Sequence, residues 1–91
     1  MDRVEVRHWR DTRTQREVDL LLVHADGRYV PVEVKASRTV GPGDTHGLVN
    51  FALRHSESCH RAVLVYEGSQ VVDLTPAGSP SPIVAVPRAL M

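Results

Sequence analysis

The 91-residue sequence predicts a small α/β (α+β) domain with a mixed β-sheet and one main helix. Two apolar runs, at 18–23 and 30–36, alternate with a period of two residues around a short turn, which is typical of a β-hairpin. Residues 48–55 place apolar side chains three and four positions apart, which is typical of an amphipathic helix. A nearly continuous apolar run follows at 61–66, and such runs are typical of strands that are buried on both faces.

The turn at 25–27 decides how the predicted hairpin pairs. A two-residue Asp-Gly loop would pair Leu20 with Glu33 and mix apolar and charged side chains on each face. A three-residue loop that ends at Gly27, with the glycine in the left-handed conformation, pairs Leu20 with Val32 instead. Because a slip of one residue moves every side chain to the other face, the aligned apolar residues favour the second register.

The favoured register places Asp19, Glu33 and Lys35 on the same face. Asp19 then lies opposite Glu33, and two carboxylates opposed across a strand pair repel each other. A divalent cation would remove that cost, because hard cations such as Mg²⁺ are bound by one or two carboxylates. The ammonium of Lys35, the only lysine of the chain, would stabilise a developing negative charge or orient a water molecule. The alternative is a surface ladder of salt bridges, which the apolar neighbours on this face make less favourable.

The remaining pattern completes the sheet around one helix. It predicts a first strand at 3–10, a helix from Asp44 or Thr45 to about Glu57, a strand at 61–66, short strands at 70–74 and 83–86, and a proline-containing loop at 75–82. His55, Cys59 and His60 have a spacing that would suit zinc, but the fourth ligand is missing. The end of a helix followed by a loop is the preferred interpretation of that stretch.

Composition sets the class of protein. The chain has 42% hydrophobic and 24% charged residues, which is ordinary for a globular domain. Eleven basic and eleven acidic residues give a formal net charge of zero, so the whole chain is not a general electrostatic binder of nucleic acid. One cysteine excludes an intrachain disulfide framework. The absence of a signal peptide and of an 18-residue apolar run predicts a cytoplasmic protein with no membrane partner.

The order of three strands, a helix and a strand resembles the PD-(D/E)XK nuclease-like core, also called the restriction-endonuclease-like core. The acid stands on the second strand and the acid-x-Lys triplet on the third. More closely, the chain resembles the C-terminal nuclease-like domain of unknown function that follows the AAA-type ATPase module in many bacterial and archaeal proteins. The residues that carry this resemblance are Trp9-Arg10, Glu17-Val18-Asp19, the PVEVKAS stretch at 31–37, Pro42, Asp44, Leu48, Phe51 and Val86-Pro87.

The resemblance implies that Asp19 and Glu33 bind Mg²⁺ or Mn²⁺ and that Lys35 assists the attack of water on a phosphodiester. DNA is then the expected partner, and the arginines expected to contact its phosphates are Arg10, Arg13, Arg16 and Arg38. Two features depart from the pattern. The usual first helix with its additional acid has no room before Asp19, and no GxxxxGK[ST] motif occurs in the chain. The chain is therefore interpreted as a single truncated domain over residues 1–91.

Three classes of function remain open from the sequence. The first is a Mg²⁺-dependent endonuclease or a nuclease-like nucleic-acid-binding domain, which the intact Asp19, Glu33 and Lys35 favour. The second is a catalytically inactive interaction or dimerisation module with the same fold, which the missing helix and the neutral net charge favour. The third is a structural domain whose charges are solvated. Because one helix cannot cover both faces of the predicted sheet, we expect a two-fold homodimer, or a partner chain on the exposed face.

Overall fold

The structure, a computed structural model, describes residues 4–11 and 16–90; it describes side chains from Leu21 onward, except that of His24. The elements are β1 (Val4–Asp11), β2 (Arg16–His24), β3 (Tyr29–Val34), α1 (His46–Arg54), β4 (Ala62–Tyr66), β5 (Val72–Asp73) and β6 (Ile83–Pro87). A 3₁₀ turn at Pro42–Thr45 precedes α1, and another at Arg88–Leu90 follows β6.

The strands form one mixed sheet in the order β1-β2-β3-β4-β6-β5. Neighbours β1, β2 and β3 are antiparallel, whereas β3, β4 and β6 run parallel to one another, and β5 pairs antiparallel with β6. The parallel pairing of β3 with β4 requires a crossover, which α1 provides. The predicted mixed sheet with one main helix is therefore confirmed, and β4 lies between β3 and β6, inside the sheet.

The hairpin has the register that the apolar alternation favours. Leu20 pairs with Val32, and Leu22 pairs with Val30. Gly27 has φ of +88°, the left-handed conformation expected at the end of the three-residue loop. The described pairing of β2 with β3 extends to Leu20 and Val32, one residue short of Asp19 and Glu33.

β2 contains a β-bulge at Asp19, the residue that is predicted to bind metal. The sequence pattern did not predict this bulge. Arg7 pairs with Leu21, whereas Trp9 pairs with Val18. Two residues of β2, at positions 19 and 20, therefore lie opposite the single residue between the two β1 partners. Bulges of this kind bend a strand locally and are frequent beside active sites.

The helix begins later and ends earlier than the sequence predicts. Residues Pro42–Thr45 form a 3₁₀ turn, in which the backbone N–H of Gly41 donates to Asp44 Oδ2 at 2.8 Å. At the other end, the His55 backbone N–H still donates to the carbonyl of Phe51, and a series of turns then leads to Cys59. The glycine and proline before Asp44 favour the tighter turn over a full helical turn.

The core lies between α1 and one face of the sheet. Its buried members are Leu21, Leu48, Phe51, Ala52, Cys59, Ala62, Leu64, Tyr66, Leu74, Ile83 and Ala85. The rings of Tyr29, Phe51 and His55 add an aromatic group, with centroids 4.5 Å apart for Phe51 and His55. Burial lowers the pKa of His55 from its ordinary value, because a charged imidazolium is poorly solvated there.

The opposite face of β3, β4 and β6 consists of valines, and we call it the valine face. Its members are Val30, Val32, Val34, Val63, Val65, Val84 and Val86. Val32 and Val65 are only 5% exposed, whereas Val34, at the end of β3, is 48% exposed. In the part of the chain that the structure describes, the only helix longer than one turn packs on the other face. No helix of that described part is long and apolar enough to cross a membrane.

Candidate functional site

The parallel strands place the predicted triplet at one edge of the sheet. Because β3, β4 and β6 run in the same direction, their carboxyl ends lie together, at Val34, Tyr66 and Pro87. Ligands of open α/β sheets commonly bind outside the carboxyl ends of parallel strands. We call this part of the molecule the carboxyl edge.

Glu33 lies on β3 one residue before the strand ends, next to Leu64 of β4. Its neighbours at alternate positions are Tyr29, which contacts the ring of Phe51, and the fully buried Pro31. Side chains alternate along a strand, so Glu33 belongs to the face that carries the helix. The residue is half-buried.

Lys35 directly follows β3 and is held by both its backbone and its side chain. Its backbone N–H donates to the carbonyl of Val65 at 2.8 Å, which continues the pairing with β4. Its Nζ lies 3.4 Å from Asp44 Oδ1. The two side chains are 43% and 31% exposed, so this ion pair is accessible to water. Lys35 therefore points toward the 3₁₀ turn that leads into the helix.

Asp44 is the site residue that the sequence analysis missed as a functional candidate. Oδ2 of its carboxylate accepts from the Gly41 backbone N–H while Oδ1 faces Lys35. The Gly41 hydrogen bond, followed by Lys35, lowers the pKa of Asp44 below its ordinary value of 3.8. The signal available in the sequence is its place among the residues of the family resemblance, whereas the local pattern predicts only that a helix begins at Asp44 or Thr45.

Asp19 is in β2, and its side chain lies outside the part that the structure describes. The expected approach of the Asp19 and Glu33 carboxylates therefore stays a prediction. Among the described residues, no group of three His, Cys, Asp or Glu side chains is arranged to hold a metal ion. The donors that the described carboxyl edge does supply are carboxylate oxygens, which suit hard cations such as Mg²⁺ and Mn²⁺.

Three of the four arginines predicted to contact phosphate, Arg10, Arg16 and Arg38, belong to segments near the same edge. Arg16 begins β2, which runs antiparallel to β3 and so starts where β3 ends. Arg10 pairs with Glu17 in the adjacent strand, and Arg38 is exposed shortly after Lys35. The side chains of Arg10 and Arg16 and the whole of Arg13 lie outside the described residues.

The three residues considered for zinc are separated by their packing. His55 stacks against Phe51 at the end of the helix. Cys59 is buried, its thiol donates to the carbonyl of Arg61 at 3.7 Å, and burial raises its pKa. His60 is exposed. The contacts of Cys59 and His55 are those of core residues.

Fold and site together define a small mixed α/β domain with an acid-x-Lys triplet at the carboxyl edge of its parallel strands. Compared with known families, residues 2–86 match the domain of unknown function DUF4143, and the chain belongs to that family. The predicted resemblance to a domain of unknown function is thereby confirmed, while the PD-(D/E)XK relationship is a finer assignment that this match does not name. No curated protein and no solved structure matches the chain.

Proposed function

We propose that the domain is a nuclease-like nucleic-acid-binding domain whose carboxyl edge binds Mg²⁺ or Mn²⁺ through Asp19 and Glu33. The observation that carries the proposal is the hairpin register, in which Leu20 pairs with Val32. Continued by one residue, this register would bring Asp19 opposite Glu33, and directly opposed residues of regular antiparallel strands have Cβ atoms about 4.5–5.5 Å apart. Two carboxylates at that separation repel each other, and a divalent cation bound by both would remove that repulsion.

The bulge at positions 19 and 20 supports the same interpretation. A bulge interrupts regular pairing and weakens the sheet locally, so it is usually kept where it directs a side chain. The bulge coincides with the acid that the family resemblance assigns to metal binding. Its second residue, Leu20, still pairs with Val32, so the hairpin keeps its register through the bulge.

Lys35 and Asp44 are the other two side chains of the proposed site, beside the proposed metal ligands. A metal bound at the carboxyl edge would polarise a phosphate oxygen and lower the pKa of bound water. Asp44 lies 3.4 Å from the Lys35 ammonium and restrains it beside the end of β3. Lys35 then has the role of orienting water or stabilising the negative charge that develops on phosphate. The adjacent Arg38, together with Arg10, Arg13 and Arg16, is proposed to contact phosphate.

The test measures metal binding before any catalysis. Mn²⁺ titrated into the protein and followed by electron paramagnetic resonance should bind saturably, and Glu33→Gln should weaken that binding about tenfold or more, since a charged ligand is lost. Glu57→Gln is the matched control, because Glu57 is exposed in the turns after α1. Equal Mn²⁺ affinity in the wild type and Glu33→Gln would refute the proposed metal site.

Nuclease activity is the second readout. Cleavage of DNA should require the metal, stop on addition of EDTA and be lost in Lys35→Ala. The free energy of unfolding should fall by less than about 1 kcal/mol in that variant, because its ion pair is exposed. DNA cleavage that persists in EDTA or in Lys35→Ala would come from a contaminant or from another site.

A second candidate function is an interaction module, and the valine face is the observation that favours it. Sheets with parallel strands ordinarily have helices on both faces, whereas the main helix of the described residues packs on one. A second copy of the chain that packs on this face would give the two-fold dimer expected from the sequence.

A further inference from the structure

The opposite edge of the sheet holds a cleft that the proposed metal site does not involve. Arg28, Val30, His60 and Arg61 line it, and its volume is about 470 Å³. Arg28 precedes β3 and Arg61 precedes β4, so the cleft lies where these parallel strands begin. Glu33 and Lys35 lie where β3 ends. We call this feature the amino-edge cleft.

A break in the strand alternation places two adjacent basic residues in the cleft. Cys59 and Ala62 are both directed into the core, with exposures of 3% and 0%. The two residues between them, His60 and Arg61, are both exposed. In a regular strand they would point to opposite faces. Here the irregular backbone leaves both of them outside the core.

The backbone beneath this break is anchored by buried hydrogen bonds. The hydroxyl of Ser81, itself 2% exposed, donates to the carbonyl of Cys59 at 2.5 Å. The backbone N–H of Ala62 donates to the carbonyl of Pro82 at 2.9 Å. The loop before β6 therefore holds the segment that carries His60 and Arg61, and the cleft is pre-formed.

Arg28 reaches the amino-edge cleft from the β2–β3 hairpin, where it directly precedes β3. The backbone N–H of Tyr29 donates to the carbonyl of Ser58 at 2.8 Å, which fixes the end of the hairpin beside the segment before β4. Nε of Arg28 donates to Asp26 Oδ2 at 2.7 Å and holds the guanidinium in place. This contact uses Nε and not the two terminal nitrogens of Arg28, and within the described residues Arg61 makes no side-chain ion pair.

We propose that the amino-edge cleft binds a phosphate group, carried by single-stranded nucleic acid. Two arginines from separate segments, Arg28 and Arg61, line the same cleft, and the planar N–H donors of guanidinium groups match phosphate oxygens in pairs. The half-buried Val30 gives the cleft an apolar wall beside these cations. The volume is in the range of small-ligand sites, which leaves room for the sugar or base attached to the phosphate. The choice of nucleic acid as the carrier rests on the proposed function, whereas the phosphate chemistry rests on the cleft alone.

The experiment measures binding of a fluorescently labelled single-stranded DNA oligonucleotide by anisotropy, in EDTA and at low salt. Arg28→Gln and Arg61→Gln should each weaken binding about tenfold, and each should reduce the slope of log affinity against log salt by about 0.7. Arg54→Gln is the matched control, since it removes the same charge from the exposed side of α1. Its affinity should stay within about twofold of the wild type.

Competition separates the two sources of phosphate. If inorganic phosphate displaces the oligonucleotide at matched phosphate concentration, the cleft binds free phosphate; if it does not, the strand is the ligand. Either result supports the phosphate site, provided that Arg28→Gln and Arg61→Gln weaken binding. Equal affinity in these variants and in Arg54→Gln, or no binding of either ligand, overturns the proposal. The metal site is measured separately, by Mn²⁺ binding in electron paramagnetic resonance, and the cleft by DNA binding in EDTA, so failure of the metal site and failure of the cleft are distinguishable.

Discussion

The Asp44 carboxylate contacts two groups, one beside it in the chain and one at the end of β3. One carboxylate oxygen accepts from the Gly41 backbone N–H in the same turn, and the other lies 3.4 Å from Nζ of Lys35 at the end of β3. The first contact stabilises the 3₁₀ turn before α1, and the second connects that turn to the sheet. Both contacts favour the ionised carboxylate, which is why the pKa of Asp44 is lowered.

This lowered pKa predicts a dependence of stability on pH. The unfolded chain protonates Asp44 near its ordinary pKa of 3.8, whereas the folded protein protonates it at lower pH. The stabilisation is therefore complete above about pH 5 and is lost as the pH falls through the lowered pKa. Asp44→Asn should lose about 0.5–1 kcal/mol of unfolding free energy at neutral pH, because the contacts are partly exposed.

The measurement is urea denaturation of both proteins between neutral pH and about pH 2.5, at which an ordinary Asp carboxyl is mostly protonated. The stability difference between the wild type and Asp44→Asn should shrink on the acid side, while Glu57→Gln, from an exposed turn, controls for the change in net charge. A difference that stays constant down to the lowest pH would mean that the ionised form of Asp44 is not what stabilises the fold.

At the scale of single elements, the β2–β3 hairpin combines regular strand pairing with a left-handed residue in its loop and a bulge in β2. The register is set by the apolar alternation and by the three-residue loop, which requires a left-handed residue at its end. The bulge lies at the other end of the hairpin, beside the carboxyl edge. The three-residue loop thus defines which residues of the two strands pair, while the bulge alters the backbone of β2 at positions 19 and 20.

Gly27 is the residue of this element that a substitution tests most directly. At φ of +88° a Cβ atom strains the backbone, although no other atom would contact it. Gly27→Ala should therefore reduce the free energy of unfolding by about 1–2 kcal/mol without changing the register. Gly43→Ala is the control, because it has open space and a φ outside the left-handed range, and it should change stability by less than about 0.5 kcal/mol.

Chemical denaturation gives the two free energies, and cross-strand nuclear Overhauser contacts between Leu20 and Val32 report the register. If Gly27→Ala is as stable as Gly43→Ala, the left-handed residue is not what closes the loop. If the Leu20 and Val32 contacts disappear, the turn rather than the apolar alternation determines the pairing.

At the scale of the whole molecule, the two faces of the sheet are unequal. The described helix covers the face that contains Leu64 and Ala85, both fully buried. Val32 and Val65 of the valine face are nearly buried, and its exposed end is at Val34. Exposed apolar surface of this kind frequently forms the interface between copies of a small domain.

The dimer proposed on this face predicts a mass near twice that of the chain, measured by light scattering at micromolar concentration. Val34→Lys should shift the protein toward the monomer, because a charge would be buried in the interface. Leu53→Lys is the matched control: Leu53 is 59% exposed, but it belongs to α1 on the other side of the sheet. Wild-type protein that is folded and monomeric at these concentrations would contradict the proposal.

The sequence by itself determined the features that depend on neighbouring residues. Alternation and Gly27 determined the hairpin and its register, and the spacing of Leu48, Phe51 and Ala52 identified the buried side of the helix. The same local pattern placed Glu33 and Lys35 on the third strand, but that strand ends at Val34, so Lys35 directly follows it. These are short-range properties, because strand and helix periods repeat within a few residues.

Only the tertiary structure decided which distant segments meet. The ion pair between Lys35 and Asp44 and the convergence of Arg28 with Arg61 depend on the strand order, in which β3 and β4 are parallel neighbours. The bulge at position 19 depends on how β1 pairs with β2. Contacts of this kind arise from the packing of whole elements, and the local periodicity of a sequence does not specify which elements distant along the chain become neighbours.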